Sequence, residues 1–357
     1  MSKNYYIIPI FVPHKGCPHD CIFCNQQKIT GCEEEYSIIN IRNTIEDYME
    51  TIAYDCSPTV EIAFYGGSFT AIPIENQTAM LKIAKEYMDS GKINRIRLST
   101  RPDYIDDEIL QNLKRYSVSI IELGVQSMDE EVLRLSQRGH TSEDVIEAIK
   151  LIKKYSFIVG VQIMVGLPSD SLDKCLKTTT ILAGLNPDIA RIYPALVIKD
   201  TYMEVLYYKG QFKPFSLEEV TLICKCMLII LEKKGVEVIR IGLQPTENIE
   251  LGKDIVAGPF HPSMRQLVDS SIYLDMMKCI IERLEKIEVL NIMVNPKNIS
   301  NIIGQNKSNI KLLKATYFIK KINIIQKCDI FLDTIIIDNG EKQIILSKKD
   351  YYDRIEK

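Results

Sequence analysis

Strands and helices are predicted to alternate along most of this chain. Six apolar runs of strand length are separated by segments with helical periodicity, and a further helix (Leu217–Lys234) and strand (Val236–Ile241) follow them. Such alternation predicts parallel strands joined by right-handed crossovers, hence an α/β fold that is either an open sheet or a barrel. The six runs are Tyr5–Val12, Val60–Tyr65, Ile93–Ser99, Val118–Gly124, Phe157–Val165 and Asp188–Tyr193.

Residues suited to ligand binding come directly after these strands. Because the carboxyl ends of parallel strands meet at one edge of a sheet, these residues are expected to share one site. This agreement across five strands is stronger than any single motif. The residues are the loop Cys17–Cys24, the pair Gly66-Gly67, the segment Ser99–Asp103, Gln126 and Gly166.

The loop Cys17–Cys24 has the sequence CPHDCIFC. Its cysteines are four and three residues apart, and Gly16 and Pro18 keep the loop out of helix and strand. Three thiolates at this spacing can surround one corner of a cubic iron–sulfur cluster, which leaves one iron open to a substrate or cofactor. Phe23 offers a flat apolar face beside such a cluster.

Two other interpretations of the cysteine loop stay open at this point. A structural zinc ion needs four ligands, and His14, His19 or Cys32 could supply the fourth, although there is no second CxxC pair. The three cysteines could also be unrelated core residues, since free cysteine is often buried.

The polar segments after the other strands offer hydrogen-bonding groups. The pair Gly66-Gly67 lets backbone groups approach a ligand closely, or forms only a turn. Hydroxyl and amide groups in Leu98–Asp103 and Glu122–Ser127 could hold a ribose or a carboxylate, or cap the following helices. Arg138 could pair with a ligand carboxylate or remain solvated at a helix end. His140 is expected to be a packed turn residue rather than a base.

Composition indicates an ordinary globular protein. The chain has 357 residues, 46% hydrophobic and 25% charged, which favours one large domain plus a small one. The apolar run at residues 5–12 is too short for a signal peptide, and no apolar stretch reaches the ~18 residues of a membrane span. We therefore expect a cytoplasmic protein without a membrane partner. In that compartment ten cysteines indicate metal or redox chemistry rather than disulfides.

The segment 291–327 is basic. Within it Ile302–Ile310 places a glycine turn between two apolar segments, which resembles the backbone-clamping loop of KH modules, with Lys307 where the second glycine usually stands. The alternative is a solvated basic surface with no ligand. The segment has no Asp or Glu, and its lysines are Lys297, Lys307, Lys311, Lys314, Lys320, Lys321 and Lys327.

Taken together, these motifs resemble the radical SAM superfamily, whose signature is a CxxxCxxC loop with an aromatic residue before the last cysteine. More closely, residues 5–245 resemble the catalytic subunit of Elongator, and oxygen-independent coproporphyrinogen oxidase is similar at a greater distance. The shared strings begin at Gly66 (GGSF), Thr100 (TRPD), Glu122 (ELGVQS), Arg138 (RGHT), Leu167 (LP), Arg191 (RIYPALVIKDT) and Lys209 (KGQFKPF).

The resemblance implies an α/β fold with a partial (β/α)6 TIM-like barrel, and the residues beyond its reach are expected to form a small α+β C-terminal extension. Residues 1–245 would form the barrel, 246–290 a connecting excursion and helix, and 291–357 a small basic α+β domain that resembles a KH module. Cys17, Cys21 and Cys24 would ligate a 4Fe–4S cluster, and S-adenosylmethionine would chelate the fourth iron.

By the same resemblance, the methionine end of S-adenosylmethionine would lie on the main chain of the glycine pair. Phe23 would lie near the adenine, Gln126 would reach the ribose, and Arg138 would reach the carboxylate. Ser99 stands where the Elongator subunit has a glutamate. The expected cofactor-binding residues are Phe23, Gly66, Gly67, Ser68, Ser99, Gln126, Arg138 and Gln162.

The function expected is reductive cleavage of S-adenosylmethionine to a 5′-deoxyadenosyl radical that modifies RNA, with tRNA as the substrate. RNA would bind through residues 291–327, and the electron would come from a donor such as flavodoxin or ferredoxin. The Elongator subunit also has an acetyltransferase domain, which the resemblance does not reach, so acetyl transfer is not implied. The alternatives are a radical SAM enzyme for a small molecule or tetrapyrrole, and a noncatalytic RNA-binding protein with a structural cluster.

Overall fold

The structure is a computed structural model that describes residues 5–12, 21–25, 38–52, 57–243, 249–285 and 287–355. Within them, seven parallel strands pair into one curled sheet. The strands are β1 (Tyr5–Val12), β2 (Thr59–Gly66), β3 (Arg95–Thr100), β4 (Val118–Gln126), β5 (Ile158–Val165), β6 (Ile189–Pro194) and β8 (Glu237–Ile241), with the short β7 (Val197–Ile198) between the last two.

The order of the sheet is β1-β2-β3-β4-β5-β6-β8, so β1 and β8 are its two edges. This half-barrel is the partial TIM-like barrel that was predicted. The strand predicted at 236–241 pairs into the same sheet as the six predicted before it, and so forms its seventh strand. Every pair is parallel, and all the strand carboxyl ends therefore lie at one end of the half-barrel, which we call the mouth.

Helices cover the outer face of the sheet. Inward and outward residues alternate along each strand, so Ile62, Phe64 and Leu98 are fully buried under the helices while polar residues face inward. The helices are α1 (Ile38–Glu50), α2 (Ile74–Asp89), α3 (Asp107–Arg115), α4 (Glu130–Leu135), α5 (Ser142–Lys154), α6 (Leu172–Gly184), α7 (Tyr202–Tyr208) and α8 (Leu217–Lys233).

Side-chain caps fix where several helices begin. Thr141 and Ser216 form capping boxes at α5 and α8. Asp106 caps α3 by accepting from the Ile109 N–H at 2.7 Å. Asp103, considered above as a cap, instead pairs with Arg101, because it lies in a 3-10 turn before the helix.

The segment after β8 has more structure than its sequence indicates. A short strand, β9 (Ile255–Ala257), pairs antiparallel with β7. Helical periodicity predicts the next helix over Ser270–Lys286, but the helix, α9 (Met264–Ile281), begins and ends earlier. Its first turn forms because Met264 is buried against Gly242 at the end of β8, a long-range contact that periodicity does not reveal.

Residues 289–355 form a small α+β extension, which we call the C-terminal unit. Its sheet has the order β11-β10-β12-β13, with β10 and β11 parallel and the other pairs antiparallel. Tyr352 donates to Glu232 at 2.7 Å and so joins the unit to α8. The elements are β10 (Val289–Val294), α10 (Ile299–Ile303), α11 (Ser308–Tyr317), β11 (Lys321–Gln326), β12 (Thr334–Asp338), β13 (Gln343–Ser347) and α12 (Lys348–Ile355).

Over the residues that the structure describes, we find no helix with the length and apolar character that a membrane span requires.

Candidate functional site

Two of the three predicted cluster cysteines lie in the described segment after β1. Cys21 is buried and Cys24 is half-buried, and the Cys24 N–H donates to the Cys21 carbonyl at 2.9 Å. Cys17 lies outside the described residues, so its place in the predicted ligand set stays a prediction.

Ile22 holds this segment to two other elements at the mouth. Its N–H donates to the Ser136 carbonyl at 3.3 Å, and its carbonyl accepts from the Met203 N–H at 2.8 Å. The segment is therefore fixed between the end of α4 and the start of α7. Phe23 is half-buried and packs on an apolar group that includes Met203 and Leu167.

Arg138 reaches the first of the described cysteines. One of its guanidinium nitrogens lies 3.2 Å from Cys21 Sγ, and the other donates to the Gly124 carbonyl at 2.5 Å. Its third nitrogen, Nε, is buried and has no hydrogen-bond partner among the described residues. Arg101 supports this arrangement by donating to the Arg138 carbonyl while it pairs with Asp103.

Gln126 lies next to Arg138 and has an unusual backbone. Its φ is +67°, in the left-handed region that side chains rarely adopt, and only 9% of the residue is exposed. Its Oε1 is buried without a hydrogen-bond partner in the described part of the chain. A Cβ on Gly124 would lie 3.1 Å from the Gln126 amide nitrogen and 3.4 Å from an Arg138 nitrogen. The absence of a Cβ at this position therefore gives the Gln126 and Arg138 side chains the space that they occupy.

The glycine pair at the end of β2 contacts the end of β1. Gly66 has a φ of +100°, and the Gly67 N–H donates to the carbonyl of Val12, the last residue of β1. Ser68 Oγ accepts from the Arg101 N–H at 3.2 Å and lies 2.8 Å from Thr100 Oγ1. The Ser68 hydroxyl is therefore used inside the protein, where it joins β2 to β3.

Below the mouth, the inner face of the sheet encloses a cavity of about 1270 Å³. Ser99 and Gln162 line it, and the Gln162 amide donates to Ser99 at 3.1 Å and to Glu122 at 3.2 Å. These two predicted residues are thus brought together. Tyr65 and Tyr193 line the same cavity.

A buried ion-pair network lies along the wall of this cavity, which Arg97 and Arg191 line. Glu122, only 1% exposed, accepts from Arg97 at 2.7 Å and from Arg191 at 2.6 Å, and Arg97 also pairs with Glu61 at 2.8 Å. Burial opposes ionisation of Glu122, but Arg191 and then Arg97 outweigh it, and its pKa lies below the usual value. Gly160 makes room, since a Cβ there would lie 2.7 Å from Glu122 Cγ.

Sequence reasoning did not assign Arg97, Glu122 and Arg191 to the site. The signal that could have found them is positional, because charged residues stand at inward positions of strands that are otherwise apolar. Charges in such places must be paired.

His140 is packed beside the site, as predicted. It is 4% exposed, and its Nε2 lies 3.2 Å from the Val125 carbonyl. Burial, followed by the charges of Arg138 and Arg101, lowers the pKa of His140 to about 3. The ring is therefore neutral near pH 7, and Nε2 carries the hydrogen that the carbonyl accepts.

Comparison with known proteins gives two family matches, the radical SAM superfamily over residues 11–180 and the Radical_SAM C-terminal domain over residues 187–273. The chain is 29% identical over 252 residues to the tRNA uridine(34) acetyltransferase of Methanocaldococcus infernus, covering 60% of this chain and 47% of the relative. It is 30% identical over 236 residues to an uncharacterized protein of Methanocaldococcus jannaschii, and the match covers 62% of this chain and 71% of that relative.

Among solved structures, archaeal Elp3 (Elongator complex protein 3) from Methanocaldococcus infernus superposes with a TM-score of 0.62. The identity is 24%, and the match covers 78% of this chain and 64% of that one. The resemblance to Elongator read from the sequence is thus confirmed, as is the fold. The chain spans about half the length of the acetyltransferase that it matches.

Proposed function

The chain belongs to the radical SAM superfamily, and we propose that it is an enzyme of this superfamily that modifies RNA, with tRNA as its substrate. Proteins of the superfamily bind a 4Fe–4S cluster and S-adenosylmethionine. In this chain Cys17, Cys21 and Cys24 would hold the cluster. The electron that reduces it would come from a donor such as flavodoxin or ferredoxin.

The observation that carries the proposal is the pair of buried, unpartnered atoms beside Cys21. Buried polar atoms almost always have a hydrogen-bond partner, so Gln126 Oε1 and Arg138 Nε indicate a ligand with a donor for the first and an acceptor for the second. S-adenosylmethionine has ribose hydroxyls that can donate to Gln126 and a carboxylate that can accept from Arg138. The residues present fit this cofactor.

When bound and reduced, the cofactors supply a 5′-deoxyadenosyl radical, which removes a hydrogen atom from a substrate. The chain's own residues bind and orient. Gly66 and Gly67 would hold the methionine end by main chain, and Phe23 would cover the adenine. Ser99 and Gln162, fixed by their mutual hydrogen bond, would face the adenosine from the cavity.

The RNA substrate is proposed on two grounds. A relative that is 29% identical is named a tRNA uridine(34) acetyltransferase, although this chain spans only about half of it, so acetyl transfer is not part of the proposal. Residues 291–327 contain seven lysines and no acidic residue, and lysines that neutralise phosphates bind RNA in a salt-dependent way. The KH-like interpretation of residues 291–357 stays a proposal.

The test is anaerobic. The protein is reconstituted with iron and sulfide, reduced, and supplied with S-adenosylmethionine, and 5′-deoxyadenosine is measured with and without bulk tRNA. We expect cleavage that rises with tRNA and is lost in Cys21→Ala and Cys24→Ala.

Equal cleavage with and without tRNA would support the radical SAM chemistry and favour the small-molecule alternative, for which the large cavity has room. No cleavage in a protein shown to contain its cluster would favour the noncatalytic alternative.

A further inference from the structure

One side of the C-terminal unit joins exposed lysines to an exposed aromatic ring. Lys311 and Lys314 are three residues apart on α11 and therefore share a face. Lys307 directly precedes this helix and Phe318 directly follows it. All four residues are exposed, and we call them the Lys–Phe surface.

The charges on this surface are not neutralised by the described protein. No ion pair joins Lys307, Lys311 or Lys314 to a described residue, whereas Lys320 nearby pairs with Glu288 at 2.9 Å. The three lysines together with Phe318 extend over about 16 Å along the helix axis. A surface of this length and sign suits an extended polyanion.

Phe318 is the feature that core packing does not explain. It is 87% exposed, although phenylalanine is normally buried, and its φ of +55° lies in the left-handed region. An exposed ring in line with lysines matches the combination that binds single-stranded nucleic acid, where bases stack on aromatic rings and lysines contact the backbone.

The turn at the start of α11 is held rigidly. Gly304 has a φ of +74°, and a Cβ on it would lie 3.0 Å from the Asn309 backbone nitrogen, so the turn favours glycine. The buried Asn309 side chain donates to the carbonyls of Ser270, Asn301 and Ile302 at 3.0–3.2 Å, which ties α11 to α9 and α10. The surface is therefore largely formed before any ligand binds, which lowers the entropy cost of binding.

The same turn lies at the mouth of the half-barrel. Gln305 is in hydrogen-bond contact with His261, with 3.0 Å between Gln305 Nε2 and His261 Nε2. His261 lines a small crevice with Pro194 and Gly242, which end β6 and follow β8. The Lys–Phe surface thus begins beside the edge strand β8, at the end of the sheet where Gln126 and Cys21 lie.

We propose that the Lys–Phe surface binds a single-stranded segment of RNA and leads it to the barrel mouth beside β8. The lysines contact successive phosphates, and Phe318 stacks on an unpaired base, which a duplex cannot offer. This inference rests on the proposed function, because it assigns that function's RNA substrate to a particular surface.

The test compares binding of a short unstructured RNA, the corresponding duplex and bulk tRNA by fluorescence anisotropy at several salt concentrations. The variants are K307Q/K311Q/K314Q, Phe318→Ala and Phe318→Tyr. Lys342→Gln, an exposed lysine in the turn between β12 and β13, is the matched control. Thermal melting checks that each variant is folded.

For the single strand, the slope of log K against log salt should become less negative by about 2 in the triple variant, since each lost phosphate contact contributes ~0.7. Phe318→Ala should weaken single-strand binding by about tenfold, and Phe318→Tyr should restore it. Lys342→Gln should change neither quantity.

Unchanged binding in the triple variant and in Phe318→Ala, with wild-type protein that still binds tRNA, would place the RNA elsewhere and leave the proposed function standing. Equal affinity for the duplex and the single strand would overturn the base-stacking role. A wild-type protein that binds none of the three RNAs would overturn this inference together with the proposed RNA substrate.

Discussion

Replacing Glu122 by glutamine is expected to destabilise the half-barrel strongly. Its carboxylate is 1% exposed and accepts hydrogen bonds from Arg97, Arg191 and Gln162. An amide of the same size keeps the shape but removes the negative charge, and it turns an N–H₂ group toward two guanidinium groups. Glu61 then remains as the carboxylate that accepts from Arg97.

The magnitude follows from leaving a buried charge without its partner. Removing one member of a buried ion pair costs about 3–5 kcal/mol, which corresponds to a fall of about 4–7 °C in the melting temperature of a chain this long. The assay is thermal unfolding of the metal-free protein, which separates the effect from cofactor binding. Glu147→Gln is the control, because Glu147 pairs with Lys150 on the surface at 2.8 Å and should change stability by less than about 0.5 kcal/mol.

A second substitution sharpens this test. Adding Arg191→Met to Glu122→Gln removes the guanidinium group that is left without a carboxylate partner, so the double variant should melt above the single one. If Glu122→Gln melts within the error of Glu147→Gln, or if Arg191→Met lowers the melting temperature further by its full separate effect, the network does not carry the stability assigned to it.

Three further predictions follow from the site. Gly124→Ala should weaken S-adenosylmethionine binding at least tenfold without unfolding the protein, because its Cβ would lie 3.1 Å from the Gln126 amide nitrogen. Gly184→Ala is the control, since the space around Gly184 is open and binding should not change. If equilibrium dialysis gives Gly124→Ala the same affinity as the wild type, the prediction is wrong. Burial, followed by two nearby guanidinium groups, lowers the pKa of His140 to about 3. The stability that the neutral His140 ring contributes is therefore complete above the unfolded-state pKa of about 6.5. It is lost as the pH falls toward 3, at up to ~1.4 kcal/mol per pH unit. His140→Gln should therefore flatten the fall in melting temperature between neutral and acid pH, and an unchanged slope would refute the assignment. Cys24→Ala should abolish iron retention after reconstitution, whereas Cys328→Ala, at an exposed thiol, should retain it; iron retained by both variants would remove Cys24 from the ligand set.

The strands and the mouth could be predicted because their signals are local. Apolar runs bounded by glycine, proline and polar residues mark strands, and the parallel connection then places their ends together. Arg138 and Gln126 were selected in this way, and they do lie together next to Cys21.

The long-range pairings could not be predicted from local patterns. Glu122 and Arg191 are 69 residues apart, and only the order of strands in the curled sheet brings them within hydrogen-bond distance. The early start of α9 depends in the same way on contact with the end of β8. The left-handed backbone of Gln126 has no sequence signal, since glutamine has no preference for that region.

The distribution of charge agrees with the order in which an RNA substrate would meet this protein. At the wall of the cavity, Arg97 and Arg191 are balanced by Glu61 and Glu122, so the network has no net charge to offer a phosphate. The same wall presents Ser99 and Gln162, whose neutral dipoles suit the edge of a base or a ribose. Uncompensated positive charge lies outside, on the Lys–Phe surface beside the mouth. A polyanion held by its backbone on that surface could therefore place an uncharged base in the cavity without bringing phosphates into it.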